Sequence, residues 1–293
     1  KVRSKLLLIT RKNGEQVEYI TQVGTGNYNE DTVRLYTDYA LMTADQAIGA
    51  DAAHVFNALS MGEVLEESRE LMVAPACLRP KILALIDREI EAARAGEEAC
   101  LGFKLNGLTD KVLIEKFIEA SQAGVKIDLV VRGICCLIGG VPGKTDNIRV
   151  ISIVGRYLEH ARIYIFGPEE RRQVYISSAD FMTRNTSKRV EVAAPVHDPV
   201  LRAQLEEMFR CELRDTAKGR RQQPDGSYVR MEGEPFNSQE RFCDEAYRGA
   251  WTVTAPAKPG KKQTGSAEGA EPPEAKTTTR RGLLGRLFGR DQG

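Results

Sequence analysis

Two β-rich runs open the chain. Residues 5–11 (KLLLITR) and 16–23 (QVEYITQV) flank Lys12, Asn13, Gly14 and Glu15. Asn-Gly between two such runs predicts a hairpin. Gly24-Thr25-Gly26-Asn27 follows, where glycines permit tight backbone and close approach of a ligand. Residues 44–60 read as a helix and Leu71–Val73 as a short strand. A helix is expected from Pro80 to Arg94, closed by Gly96, with Ile82, Leu83, Ile86 and Ile90 on one face. A strand at 99–105 leads to a helix capped by Thr109 or Asp110 and ended by Gly124. Its apolar stripe is Leu113, Ile114, Phe117 and Ile118. The nearly all-apolar strand 126–131 comes next, and this strand–helix–strand unit predicts a right-handed parallel crossover. Further strands are expected at 148–153, 162–166, 172–177 and 188–194, then a helix at 199–214.

Beyond 214 the pattern changes. Residues 215–251 read as a basic, turn-rich stretch with a short helix at 238–248. Residues 252–280 lack a periodic apolar face and read as disordered. RRGLLGRLFGR (280–290) alternates arginines with Leu and Phe. It reads first as solvated tail, and second as a segment for a membrane surface or partner.

Composition narrows the function classes. The 293 residues carry 42 Lys+Arg against 41 Asp+Glu, so no global charge argues for nucleic acid or an anionic membrane. No apolar run reaches the roughly 18 residues of a membrane span. The six cysteines form no CxxC pair, and no His stands at ligand spacing from them. A reducing cytoplasm is the expected compartment. Cys135-Cys136 reads as a pair of small core residues. Gly139–Thr145 falls one residue short of a phosphate-binding P-loop and has no helix pattern after it, so it reads as an ordinary loop. Because the chain starts at Lys1 in a strand pattern, a missing N-terminal part is expected.

The most informative feature is a weak internal repeat. Arg3-Ser4-Lys5, a strand, a turn, a strand and Gly24–Asn27 are echoed by His160-Ala161-Arg162, a strand, a turn, a strand and Ser177–Asp180. A hairpin brings its two ends together. Each copy should therefore gather a basic side chain and a small polar loop at one spot, suited to a phosphoryl group. His160 can serve there as nucleophile or acid. Arg132 ends the apolar strand 126–131, where ligands of open parallel sheets bind, and its guanidinium suits bidentate phosphate contacts. His54 and His197 read as structural or surface residues.

Long stretches resemble the C-terminal region of the bacterial type 1 polyphosphate kinase family. They are 23–45 (VGTGNYNEDTVRLYTDYALMTAD), 87–96 (DREIEAARAG), 122–137 (QAGVKIDLVVRGICCL), 147–166 (NIRVISIVGRYLEHARIYIF) and 174–185 (VYISSADFMTRN). The likeness covers residues 1–215 and is weaker at 223–230. It implies an α/β, phospholipase-D-like mixed sheet flanked by helices, with a truncated first half (1–75), a second half (76–215), an extension (216–251) and a tail (252–293). It also implies reversible transfer of the ATP γ-phosphate to inorganic polyphosphate through a phosphohistidine, and a homo-oligomer at full length. Mg²⁺ would accompany the nucleotide, with ligands upstream and none within this stretch. By the same resemblance Tyr36 and Arg132 bind nucleotide or phosphate, and His160 contacts nucleotide and acts as general acid. Lys5 and Arg162 are read as charge neutralisers.

One departure bears on mechanism. The family's phosphohistidine stands in a His-x-Lys frame that here reads Arg3-Ser4-Lys5, and a guanidinium is a poor nucleophile. Impaired transfer is therefore expected. The alternatives are a non-enzymatic polyphosphate- or nucleotide-binding remnant and, behind it, a phospholipase-D-like phosphodiesterase, which would need two His-x-Lys frames.

Overall fold

The computed structural model describes residues 1–248. The tail expected at 252–293, including 280–290, lies outside them. The first hairpin is β1 (Lys5–Asn13) with β2 (Gln16–Gly24), turning at Gly14 with φ +62°. α1 (Glu30–Val33), β3 (Tyr36–Thr37) and β4 (Ala40–Thr43) follow, and β4 pairs with β2 to complete a three-stranded sheet. α2 (Gln46–Ser60) starts at Asp45, whose carboxylate accepts from the amides of Ala47 and Ile48.

The large sheet begins with β5 (Met72–Ala74). α3 (Leu78–Arg94) starts two residues before Pro80. Proline is tolerated in that first turn, where its missing N–H would have had no partner within the helix. β6 (Cys100–Leu105), α4 (Lys111–Gln122) and β7 (Lys126–Val131) form the strand–helix–strand unit, with β6 and β7 parallel. Then come β8 (Ile148–Ile153), β9 (Leu158–Glu159), β10 (Arg162–Phe166), β11 (Gln173–Ser177), α5 (Thr183–Ser187), β12 (Glu191–Pro195) and α6 (Pro199–Leu213). β13 (Gly219–Gln222), β14 (Tyr228–Arg230) and α7 (Ser238–Arg248) close the described chain.

The resulting nine-stranded sheet has the order β14-β13-β8-β7-β6-β10-β11-β12-β5. Its β6, β7 and β8 are parallel, and the other pairs are antiparallel. Strand alternation separates two cores. Tyr164 and Phe166 of β10 face Phe103, Phe117 and Ile82, while Ile163 and Ile165 face Leu205, Phe209 and Leu213 of α6. A third core joins α2 and the small sheet to Val73 and Val192, through Val23, Ile48 and Val55.

The expected mixed sheet flanked by helices is the one observed. The 215–251 stretch differs from its turn-rich reading, because β13 and β14 extend the sheet edge. GRRQ and YVR carry little apolar signal; they pair through backbone, which side-chain pattern does not report. The reading of Cys136 as a core residue is corrected too. Cys136 is exposed, and Leu137 turns inward beside the half-buried Cys135. Gly139–Thr145 closes on itself, with Thr145 Oγ1 accepting from the Val141 amide and donating to the Ile138 carbonyl.

Candidate active site

The two repeated hairpins present equivalent ends to one place. Lys5 pairs with Gly24 in the first, and Arg162 pairs with Ser177 in the second. β3 and β9 pair in parallel, Tyr36 with Leu158 and Thr37 with Glu159, which sets the two copies side by side. Residues 1–4 are pinned by backbone bonds to Val190, so Arg3 stands beside Arg189 and Glu191.

A cavity of about 330 Å³ opens there, lined by six cations: Arg3, Lys5, Arg132, Arg162, Arg184 and Arg189. His160 forms part of its wall, and Asp180 and Glu191 are its two carboxylates. Both acids are engaged. Arg162 clasps Asp180 through Nε at 3.2 Å and Nη2 at 2.9 Å. This pairing outweighs burial on both groups, holding Asp180 below its ordinary range and Arg162 above its own. Glu191 accepts from Ser178 Oγ at 2.6 Å and Asn185 Nδ2 at 2.8 Å, and burial pushes it up.

His160 is nearly enclosed. Its Nδ1 meets both oxygens of Asp38, at 2.8 and 3.0 Å, and its Nε2 lies 3.1 Å from Arg162 Nη1. Burial lowers the imidazole below its ordinary value, assisted by Arg162 and opposed by Asp38. Tyr36 lies against the ring with centroids 4.9 Å apart. Arg132 donates from Nε to Asn106 Oδ1 at 2.7 Å and to the Glu159 carbonyl at 2.8 Å. Its Nη groups have no protein partner among the described residues. Burial lowers Lys5, with Arg162 adding to the effect.

Every site residue expected from the sequence therefore gathers at this cavity or against His160. His54 is exposed on α2, and His197 pairs with Glu70 at the surface. The polar loops behave differently from expectation. Thr25 Oγ1 donates to Asp38 at 2.7 Å, and Ser178 Oγ donates to Glu191, so these hydroxyls grip carboxylates of the protein. A Cβ on Gly26 would lie 2.4 Å from Asp38 Oδ2, so the glycine makes room for that carboxylate.

Sequence reasoning missed Asp38, Asn106 and the partner role of Asp180. The available signal was position: Asn106 follows β6 as Arg132 follows the parallel neighbour β7, and Asp38 lies two residues from Tyr36. A buried cluster beneath His160 was missed as well. Lys104 lies between Glu159, at 2.5 Å, and Glu212, while Glu159 also accepts from Thr37 Oγ1 and Gln239 Nε2. Burial outweighs the Lys104 attraction at Glu212 and pushes that carboxyl up; at Glu159 the attraction and hydrogen bonds win, and the carboxyl is held down.

Family models match almost the whole described chain. Polyphosphate kinase C-terminal domain 1 covers residues 1–64, and C-terminal domain 2 covers 71–240. The chain belongs to the polyphosphate kinase family. Polyphosphate kinase of Bacillus anthracis is 43% identical over 251 residues, 85% of this chain and 36% of that protein. The Thermosynechococcus vestitus polyphosphate kinase is 43% identical over 239 residues, 82% of this chain and 33% of that one. The crystal structure of polyphosphate kinase from Porphyromonas gingivalis superposes with a TM-score of 0.78 at 37% identity, covering 85% of this chain and 39% of that one. The chain thus spans about a third of the length of these curated relatives. Among the described residues no group of three or more His, Cys, Asp or Glu could hold a metal ion. With Asp180 and Glu191 engaged, the cavity does not fit a resident Mg²⁺.

Proposed function

We propose that this cavity binds the terminal phosphates of ATP and the end of a polyphosphate chain, and supports phosphoryl transfer between them. The carrying observation is the crowding of six cations against two engaged carboxylates around one imidazole. Such a surround stabilises oxygens that carry charge throughout phosphoryl transfer. Arg132 supplies free Nη donors on a guanidinium anchored at Nε, and Lys5 a half-buried ammonium. Arg162 is held by Asp180, so its part is to fix geometry and face His160 as much as to neutralise charge. Tyr36, packed on the imidazole, is read as a nucleotide contact, and His160 as the reactive group. No step of this reading runs through a metal held by these residues.

The test is transfer of labelled γ-phosphate from MgATP to polyphosphate, with His160→Ala as control. Loss in the variant supports the reading; undiminished transfer overturns it. Arg3 favours a second reading, a pocket that binds polyphosphate without turnover. It expects affinity that falls steeply with salt and no label in product.

A further inference from the structure

Two contacts determine where the His160 ring carries its proton. A carboxylate accepts, so the Asp38 bonds at 2.8 and 3.0 Å put a hydrogen on Nδ1. A guanidinium only donates, so Arg162 Nη1 at 3.1 Å calls for a lone pair on Nε2. The ring is a neutral imidazole with Nε2 bare. In this tautomer it has no Nε2 proton for a leaving group, but it does have an electron pair to share. Burial acts in the same direction by disfavouring the imidazolium. Arg3 stands two residues before Lys5, as His160 stands two before Arg162, and offers no such pair. The Ser178 hydroxyl is spent on Glu191.

We propose that in this chain the transferred phosphoryl group is carried on Nε2 of His160. The inference rests on the phosphoryl-transfer reading above. The Nε2 lone pair forms a bond to the γ-phosphorus as the bond from that phosphorus to the β–γ bridging oxygen breaks. The released electron pair leaves with ADP. Asp38 offsets the positive charge that develops on the ring, and Nδ1 keeps its hydrogen. The Arg162 N–H that faced Nε2 passes to a phosphoryl oxygen, while Nε and Nη2 stay on Asp180. In the second step a terminal polyphosphate oxygen attacks the phosphorus, the N–P bond breaks, and its electron pair returns to Nε2. Asp38 is a positioning residue in this scheme: it orients the ring and never bonds to phosphorus.

The chain is incubated with γ-labelled MgATP, quenched in alkali and mapped by mass spectrometry, and the linkage is assigned by phosphorus NMR. Binding of a nonhydrolysable ATP analogue is measured on the same samples. The expected result is base-stable, acid-labile label on His160 through Nε2, absent in His160→Ala and His160→Asn. Asp38→Asn should slow labelling by roughly 10²-fold or more while analogue binding changes little. Label on Lys5, linkage through Nδ1, or no label in protein that binds the analogue would each overturn the inference and leave the binding reading standing. Failure to bind either the analogue or polyphosphate would overturn both.

Discussion

Asp38 holds the Nδ1 edge of His160 across 122 residues of sequence, with 2.8 and 3.0 Å contacts from its two oxygens. Two neighbours fix the carboxylate in turn: Thr25 Oγ1 donates to it and Gly26 leaves room for it, while the β3–β9 pairing ends just before Asp38 and His160 and brings the two together. The small loop of the first hairpin thus reaches the imidazole at the start of the second hairpin through the Asp38 carboxylate.

Gly26→Ala tests that relay without touching the cavity. The new Cβ would meet Asp38 Oδ2 at 2.4 Å and Cβ at 2.7 Å. The side chain must move, and Nδ1 loses its acceptor. Phosphoryl transfer is expected to fall roughly 10²-fold, at a stability cost of about 1–3 kcal/mol. Turnover and urea denaturation on the same preparation check this; unchanged turnover would remove Asp38 from the account.

The pH dependence has a definite sign. Transfer through a neutral imidazole is lost as pH falls through the His160 pKa, which lies below the ordinary 6.5. Asp38 raises that pKa, while burial, Arg162 and Lys5 lower it; Arg132, Asp180 and Tyr36 complete the surround. Asp38→Asn should therefore move the acidic limb further down while lowering the plateau. A limb that moved upward would contradict the assignment. Single-turnover rates between about pH 4.5 and 8 decide it.

Arg132→Lys is expected to weaken triphosphate binding by about 10- to 100-fold, the equivalent of about 1.5–3 kcal/mol for hydrogen bonds to charged groups. Lysine keeps the charge but loses both the Nε anchor to Asn106 and the planar fork. Calorimetry with a nonhydrolysable analogue measures the change, and equal affinity would show that charge alone is read.

Lys104→Met should destabilise the fold by about 3–5 kcal/mol, because Glu159 and Glu212 would remain buried without their shared cation. Chemical denaturation gives the value. A neutral result would mean the carboxyls take up protons at little cost. Glu159 immediately precedes His160, so activity should fall along with stability.

Much of the framework was legible in the chain. The Asn-Gly turn, the cap offered by Thr109 or Asp110 and the apolar stripe of α4 are local signals, and each appears in the structure. The repeated frame brought Lys5, Arg162 and His160 to one place, because a hairpin of given register returns its end beside its start. Thr25 and Ser178 show where that reasoning stopped: the frame predicts where a hydroxyl sits, not which acceptor reaches it first.

Residue pattern alone determined most of the strands, the longer helices, the parallel β6–β7 pair and the cationic character of the cavity. Those features depend on neighbours within a turn or hairpin, or on charges that persist wherever the side chain lands. Only the tertiary structure decided that Asp38 meets His160, that Asp180 takes Arg162, and that Lys104 lies between Glu159 and Glu212, 55 and 108 residues away. A buried polar group takes the partner that packing brings within about 3 Å, since leaving it unpaired is costly. That choice depends on how separate strands stack, to which the local sequence pattern is blind.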